Sequence, residues 1–224
     1  MSSSSNSSSQ PTIDLTYSPV EELVNTITHG TGLVASIAGF VFLLVYTILY
    51  GNGWHIAACS IYGGSLVSLY AASTLYHGCK SPRWKRIFRV ADHACIYLLI
   101  AGSYTPFTLL VLEGAWGWSM FSVIWTFAAV GIIFKFIDVD PISWLTAGIY
   151  LVMGWLAVIA VYPLFQALPG DAFALLVAGG LTYSAGTIFY LWEKIPFNHG
   201  VWHVFVLAGS ALHYFAVCIA ALPG

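Results

Sequence analysis

Residues 30–50 read GTGLVASIAGFVFLLVYTILY, a run without one charged side chain. At a rise of about 1.5 Å per residue, a helix of this length spans about 30 Å, the thickness of a bilayer's hydrocarbon core. Six further stretches of the same kind follow, at about Trp54–Tyr76, Ala94–Leu112, Trp118–Phe136, Ile142–Pro163, Ala172–Trp192 and Val201–Leu222. Between them lies turn chemistry: Gly51-Asn52-Gly53, Glu113-Gly114, Asp140-Pro141, Pro169-Gly170, and Pro196 with Asn198. Such short links make neighbouring helices antiparallel. A β-barrel is excluded because the spans are continuously apolar instead of alternating.

Composition agrees. The 224 residues are 59% hydrophobic and 7% charged, with a mean hydropathy of +0.84. A soluble domain carries roughly 25% charged residues, so this chain lacks the charge to cover a water-facing surface. Nucleic acid binding is excluded too, since seven Lys and Arg residues build no basic face with interleaved aromatics. The four cysteines, Cys59, Cys79, Cys95 and Cys218, form no C-x-x-C pair and read as small apolar fillers.

Lys80, Arg83, Lys85, Arg86 and Arg89 lie between spans two and three, Lys135 ends span four, and Lys194 lies between spans six and seven. All fall on one side, which the positive-inside rule assigns to the cytoplasm. The expectation is therefore an all-α membrane protein, a seven-transmembrane helix bundle with its N-terminus cytoplasmic and its C-terminus outside. This places the protein in the cell membrane as a multi-pass chain, with membrane lipids as its first partners. Trp54, Trp116, Trp118, Trp144, Trp192 and Trp202 sit near span ends, as interfacial belts do. Residues 1–17 are Ser-rich without Lys or Arg, read as a disordered tail rather than a secretory signal, so that the first span stays as an anchor. Ser18-Pro19-Val20-Glu21 has the form of a capping box, and residues 18–29 read as an amphipathic cytoplasmic helix or as an extension of the first span.

This topology sorts the seven histidines. His55 falls at the outer end of span two, and His213 near the middle of span seven, where a hydrogen-bonded packing role fits. His29, His77, His93, His199 and His203 fall near cytoplasmic ends. His199 and His203 are spaced i, i+4, so both imidazoles project from one helix face. His77 ends span two at the same depth. Three neutral imidazoles suit Zn²⁺ and leave the fourth tetrahedral position for water. Asp92 begins span three at this depth, as a general base or an orienting carboxylate. Ser73, one turn before His77, could donate to the same water or to substrate. Cys79 is a competing ligand, and Arg89 a competing partner for Asp92.

Four segments carry a family resemblance: Glu22-Leu-Val-Asn25-Thr-Ile-Thr-His29-Gly30, Ser73-Thr-Leu-Tyr-His77, Asp92-His93-Ala-Cys-Ile-Tyr97 through Pro106, and Asn198-His199-Gly-Val-Trp-His203. Together they resemble the hemolysin III family, the bacterial branch of the progestin and adipoQ receptor superfamily, over residues 18–222. The resemblance implies a seven-helix bundle with its N-terminus inside and zinc held by His77, His199 and His203, with Asp92 and Ser73 as the family's aspartate and serine. The wider group includes alkaline ceramidases, which implies a zinc-dependent hydrolase of a membrane lipid amide or ester. Two alternatives stand beside it. One is a non-catalytic regulator or sensor of lipid state or membrane energetics with a structural zinc. The other is a hemolysin-type pore-forming toxin, against which no span carries a polar stripe.

Overall fold

Ser18 opens the first helix as a true capping box: Glu21 N donates to Ser18 Oγ at 3.3 Å and Ser18 N donates to the Glu21 carboxylate at 2.8 Å. Pro19 occupies the first helical position, where its missing N–H costs nothing. From there α1 runs unbroken over Pro19–Tyr50, so residues 19–29 are its first three turns. The structure, a computed structural model, describes residues 17–112, 114–137 and 143–222. Residues 1–16 of the Ser-rich tail, Glu113 and the Asp140-Pro141 turn lie outside the described residues.

The other helices are α2 (Gly53–Gly78), α3 (Pro82–Pro106), α4 (Gly114–Ile137), α5 (Ser143–Trp155), α6 (Val161–Ala167), α7 (Gly170–Leu191) and α8 (Asn198–Ala221). Among the described residues, seven helical segments are long and apolar enough to cross a membrane, with α5 and α6 sharing the fifth over Trp144–Ala167. The result is an all-α bundle with outward aliphatic and aromatic side chains such as Val41, Phe42, Phe134 and Phe165, and buried polar ones such as Asn25, Ser73 and Thr105. That arrangement suits an apolar solvent.

α3 begins at Pro82, well ahead of the apolar stretch near Ala94. Hydropathy sees only the bilayer-crossing part of a helix, and Arg and Lys are good helix formers. Arg83, Lys85, Arg86 and Arg89 therefore stand on the first turns of α3. Two prolines shape the spans further. Pro106 ends α3 in a π turn over Phe107–Val111. Pro163 cannot donate to the carbonyl four residues earlier, and a 3₁₀ segment, Leu156–Ala160, breaks span five just upstream. Tyr104 satisfies this break from α3, accepting from Ala157 N at 2.8 Å and donating to Gly154 O at 2.7 Å.

α2 and α3 approach closely at Gly102, where a Cβ would collide with Ser65 Oγ and Cβ. Ser65 cannot swing away freely because its hydroxyl donates to Tyr62 O at 2.7 Å. Gly102→Ala is expected to destabilise the bundle by about 1–3 kcal/mol. Gly64→Ala, with open space at its Cβ, serves as the control. Thermal melts in one detergent should show a loss for the first and none for the second.

Candidate metal centre

Asn198 fixes the register of the helix that supplies two of the three imidazoles. Its side chain donates to Phe189 O at 3.4 Å and Tyr190 O at 3.3 Å, closing the end of α7 onto the start of α8. Phe197 beside it is held at φ 57°, a left-handed conformation that a bulky residue adopts only where the surroundings impose it. Phe197 N also reaches the Glu21 carboxylate at 3.4 Å. This turn sets His199 and His203 on the first two turns of α8, facing α1 and the end of α2.

There the structure brings His77, His199 and His203 together. Their ligand nitrogens lie within 4.8 Å of one another, and all three side chains are buried. Ring centroids are 5.0 Å apart for His77–His199, 5.1 Å for His77–His203 and 4.5 Å for His199–His203.

The partners of His77 and His203 assign their tautomers, and that of His199 is compatible with the same one. His77 Nδ1 meets the Glu22 carboxylate at 2.6 Å. A carboxylate only accepts, so Nδ1 carries the proton. Thr28 donates its hydroxyl to Val24 O at 2.8 Å, so its oxygen accepts from His203 Nδ1 at 3.2 Å. His199 Nδ1 lies 3.0 Å from Tyr17 Oη, and the same tautomer has it donating there. Each ring is thus held by its Nδ1 edge, leaving Nε2 a lone pair. Nε2 of His77 and of His199 is buried without a hydrogen-bond partner. An orphaned buried acceptor is costly. Three neutral imidazoles with outward-bonded Nδ1–H and inward lone pairs form the donor set that a borderline transition-metal ion takes. The residues fit a metal, and this cluster can coordinate one.

All three orienting groups come from α1 or, for Tyr17, from the residue before its N-cap Ser18. Glu22 does double duty, since its other oxygen accepts from Lys85 Nζ at 2.6 Å. Lys85 Nζ also sits 4.9 Å over the Tyr76 ring. Tyr17, outside the spans, packs its ring 4.9 Å from His199, and burial pushes its phenol pKa up, so it stays neutral. Glu22→Gln keeps an acceptor for His77 but removes the charge that makes the imidazole a stronger donor. Metal affinity is expected to fall about 10- to 100-fold, measured by competition against a chromophoric chelator.

Ser73 and Asp92 stand beside the triad. Ser73 is fully buried, with Oγ 2.7 Å from His29 Nδ1 and within hydrogen-bonding reach of the Asp92 carboxylate. A consistent arrangement has His29 Nδ1–H donating to Ser73 and Ser73 donating to Asp92. The His29 ring then stacks on His203, centroids 3.4 Å apart. Cys79 caps α2 and directs its thiol to Ser81 O at 3.7 Å, outside the cluster. His55 pairs with Asn52 at the opposite end.

The sequence places His77, Asp92, His199 and His203 at one depth and Ser73 one turn before His77; the structure brings the three histidines together and sets Ser73 on His29, whose ring stacks on His203. The sequence alone did not assign roles to Glu22, Tyr17, Thr28 or His29. For Glu22 and His29 the signal is the Glu22…Asn25…His29 spacing, which puts them on one stripe of α1; Tyr17 and Thr28 carry none.

A cavity of about 1170 Å³, counted with its open mouth, begins at His29, Asp92, His199 and His203 and runs inside the bundle past Leu69, Ile96, Leu99, Tyr150 and Val206 to Trp155 and His213. Most of its wall is apolar.

Residues 17–214 match the family described as Haemolysin-III related. Hemolysin-3 of Bacillus cereus is 46% identical over 203 residues, covering 91% of this chain and 93% of the relative. The Hemolysin-3 homolog of Bacillus subtilis (strain 168) is 48% identical over 197 residues, covering 88% and 92%. At greater distance, the Monocyte to macrophage differentiation factor of Homo sapiens is 31% identical over 212 residues, covering 90% and 85%. With a helical bundle, a buried histidine triad and a match along nearly its whole length, this chain belongs to the haemolysin-III related family of multi-pass membrane proteins.

Proposed function

We propose that the protein is a zinc-dependent hydrolase acting on the amide or ester bond of a membrane lipid, with His77, His199 and His203 as the metal ligands. One observation carries the reading: a long, mostly apolar cavity opens directly onto the side of the cluster where Asp92 stands. A purely structural clamp between α2 and α8 has no use for such a cavity. A lipid chain lying in it brings its carbonyl to the histidines.

The roles of the chain's own residues follow from their contacts. Zinc, when bound, supplies Lewis acidity and lowers the pKa of water. Asp92, lining the cavity, takes a proton from the attacking water and returns it to the leaving group. Ser73 holds Asp92 in place by its hydrogen bond and is itself fixed by His29. The apolar wall excludes bulk water and strengthens each of these interactions. Tyr17 closes the triad on the side away from the cavity.

The orientation belongs to the same proposal. Lys80, Arg83, Lys85, Arg86, Arg89, Lys135 and Lys194 all fall at the triad's end of the bundle, the arrangement of a cytoplasmic face. The N-terminus is then inside, and the reaction occurs at the headgroup depth of the inner leaflet. Thiol labelling at an engineered cysteine on the α7–α8 turn should need membrane permeation, whereas labelling at Gly53→Cys should not.

The test is turnover by the purified protein in nanodiscs, with N-acyl amide and acyl ester lipids followed by mass spectrometry. Release of free fatty acid from either class that chelation abolishes and zinc restores is the expected result. Absence of release from both classes by fully zinc-loaded protein would sink the hydrolase reading and leave the clamp.

A further inference from the structure

The inner end of the cavity is not built for a plain hydrocarbon tail. His213 lies ten residues beyond His203 on the same unbroken helix, which puts it about 15 Å further along the axis. That is half of a bilayer's hydrocarbon thickness of about 30 Å, so an extended acyl chain whose carbonyl stands at the triad passes His213 in its distal half. Its Nε2 donates to Leu176 O at 3.1 Å. A carbonyl only accepts, so Nε2 carries the proton and Nδ1 of the neutral ring carries a lone pair. The Nε2 edge lies against Gly179, where a side chain would collide with the ring. Tyr183 holds the ring from one side, centroids 5.4 Å apart in an edge contact. The imidazole is therefore pinned by α7 with its other edge turned away. His213 remains partly accessible and lines both this cavity and a second one that continues toward Phe107 and Leu164. Nδ1 has no hydrogen-bond partner among the described residues. Ser103 and Tyr104 line the same junction.

Resting on the proposal that lipid chains occupy this cavity, we infer that His213 is a specificity residue for an acyl chain bearing a hydroxyl group in its distal half. The chain hydroxyl donates to His213 Nδ1. A saturated chain in its place covers that lone pair with methylene and leaves it unpaired, and a site built to hydrogen-bond a hydroxyl rejects the analogue that lacks it. At about 15 Å from the triad, the matching hydroxyl lies well down an extended stearoyl chain and not beside its carbonyl.

Binding, rather than turnover, tests this, so that loss of the hydrolase reading does not imitate loss of the inference. Stearate, 12-hydroxystearate and 2-hydroxystearate are titrated against the full-length protein in nanodiscs, with chelated and with zinc-loaded samples in parallel. The wild type is expected to bind 12-hydroxystearate up to about tenfold more tightly than the other two. His213→Leu should erase that preference while leaving stearate binding equal or stronger. His213→Gln, which retains both an acceptor and a donor toward Leu176, should keep part of it and guards against misfolding of the leucine variant. Equal wild-type affinities for the three acids, no binding of any, or a preference that survives in His213→Leu would each overturn the assignment. Turnover of amide and ester lipids by the same wild-type preparation reports separately on the hydrolase reading.

Discussion

His203→Ala is expected to release the bound metal and to lower the melting temperature by on the order of 10 °C relative to the loaded wild type. Each imidazole supplies one inward lone pair, and the cluster joins two places distant in sequence, the end of α2 and the start of α8, locked through Tyr17 and α1. A metal present at about 1,000 times its dissociation constant stabilises the folded state by about 4 kcal/mol, and in a domain of this length each kcal/mol moves the melting temperature by roughly 2–4 °C. Removing one of three ligands cuts affinity enough to forfeit most of that. His203 is the most informative of the three, because it is almost wholly buried and stacked on His29. A conservative His203→Gln change, which keeps bulk and hydrogen bonding, should lose metal as well. Melts with and without chelator, alongside elemental analysis, read both effects: chelator should lower the wild-type transition and leave the variants unmoved.

The second large effect is at Asp92. Asp92→Asn is expected to lower lipid turnover by about 10²- to 10⁴-fold, the usual contribution of a positioned general base, while metal content stays at the wild-type level. The amide oxygen still accepts from Ser73, so the side chain keeps its place, but it no longer takes a proton. Metal content and turnover therefore separate in this variant and fall together in the histidine variants. Ser73→Ala should behave differently again. It removes the hydroxyl that bonds His29 and lies within hydrogen-bonding reach of Asp92, and a loss smaller than that of Asp92→Asn, with the metal retained, marks Ser73 as a positioning residue.

Much of this architecture is legible in the sequence because a bilayer imposes strong rules. Runs such as residues 30–50 have one viable conformation in lipid, and span alternation alone sets His77 level with His199 and His203. What hydropathy cannot show is which helix touches which. The stripe Glu22, Asn25, His29 is readable as one face of α1, but that this face packs on α2 and α8, placing Glu22 on His77 and Thr28 on His203, depends on tertiary pairing with no local signature. The same holds for Tyr17, a residue outside any span that becomes a partner of His199 only after folding. Span five is similar. Pro163 signals a break, yet the group that satisfies the broken turn, Tyr104, lies on another helix fifty residues earlier. The orienting groups of a buried site are long-range by nature, whereas the ligands of an i, i+4 pair are local.

Three Nε2 atoms, each turned inward by a hydrogen bond on its Nδ1 side, are placed to hold a single ion. X-ray absorption at the zinc edge on protein loaded with one equivalent tests it most directly. The expected spectrum is fitted by three imidazole nitrogens with a light-atom fourth ligand at about 2.0–2.1 Å and no sulfur. A sulfur shell near about 2.3 Å, the distance of a cysteine thiolate, or a spectrum indistinguishable from zinc in buffer, would contradict it.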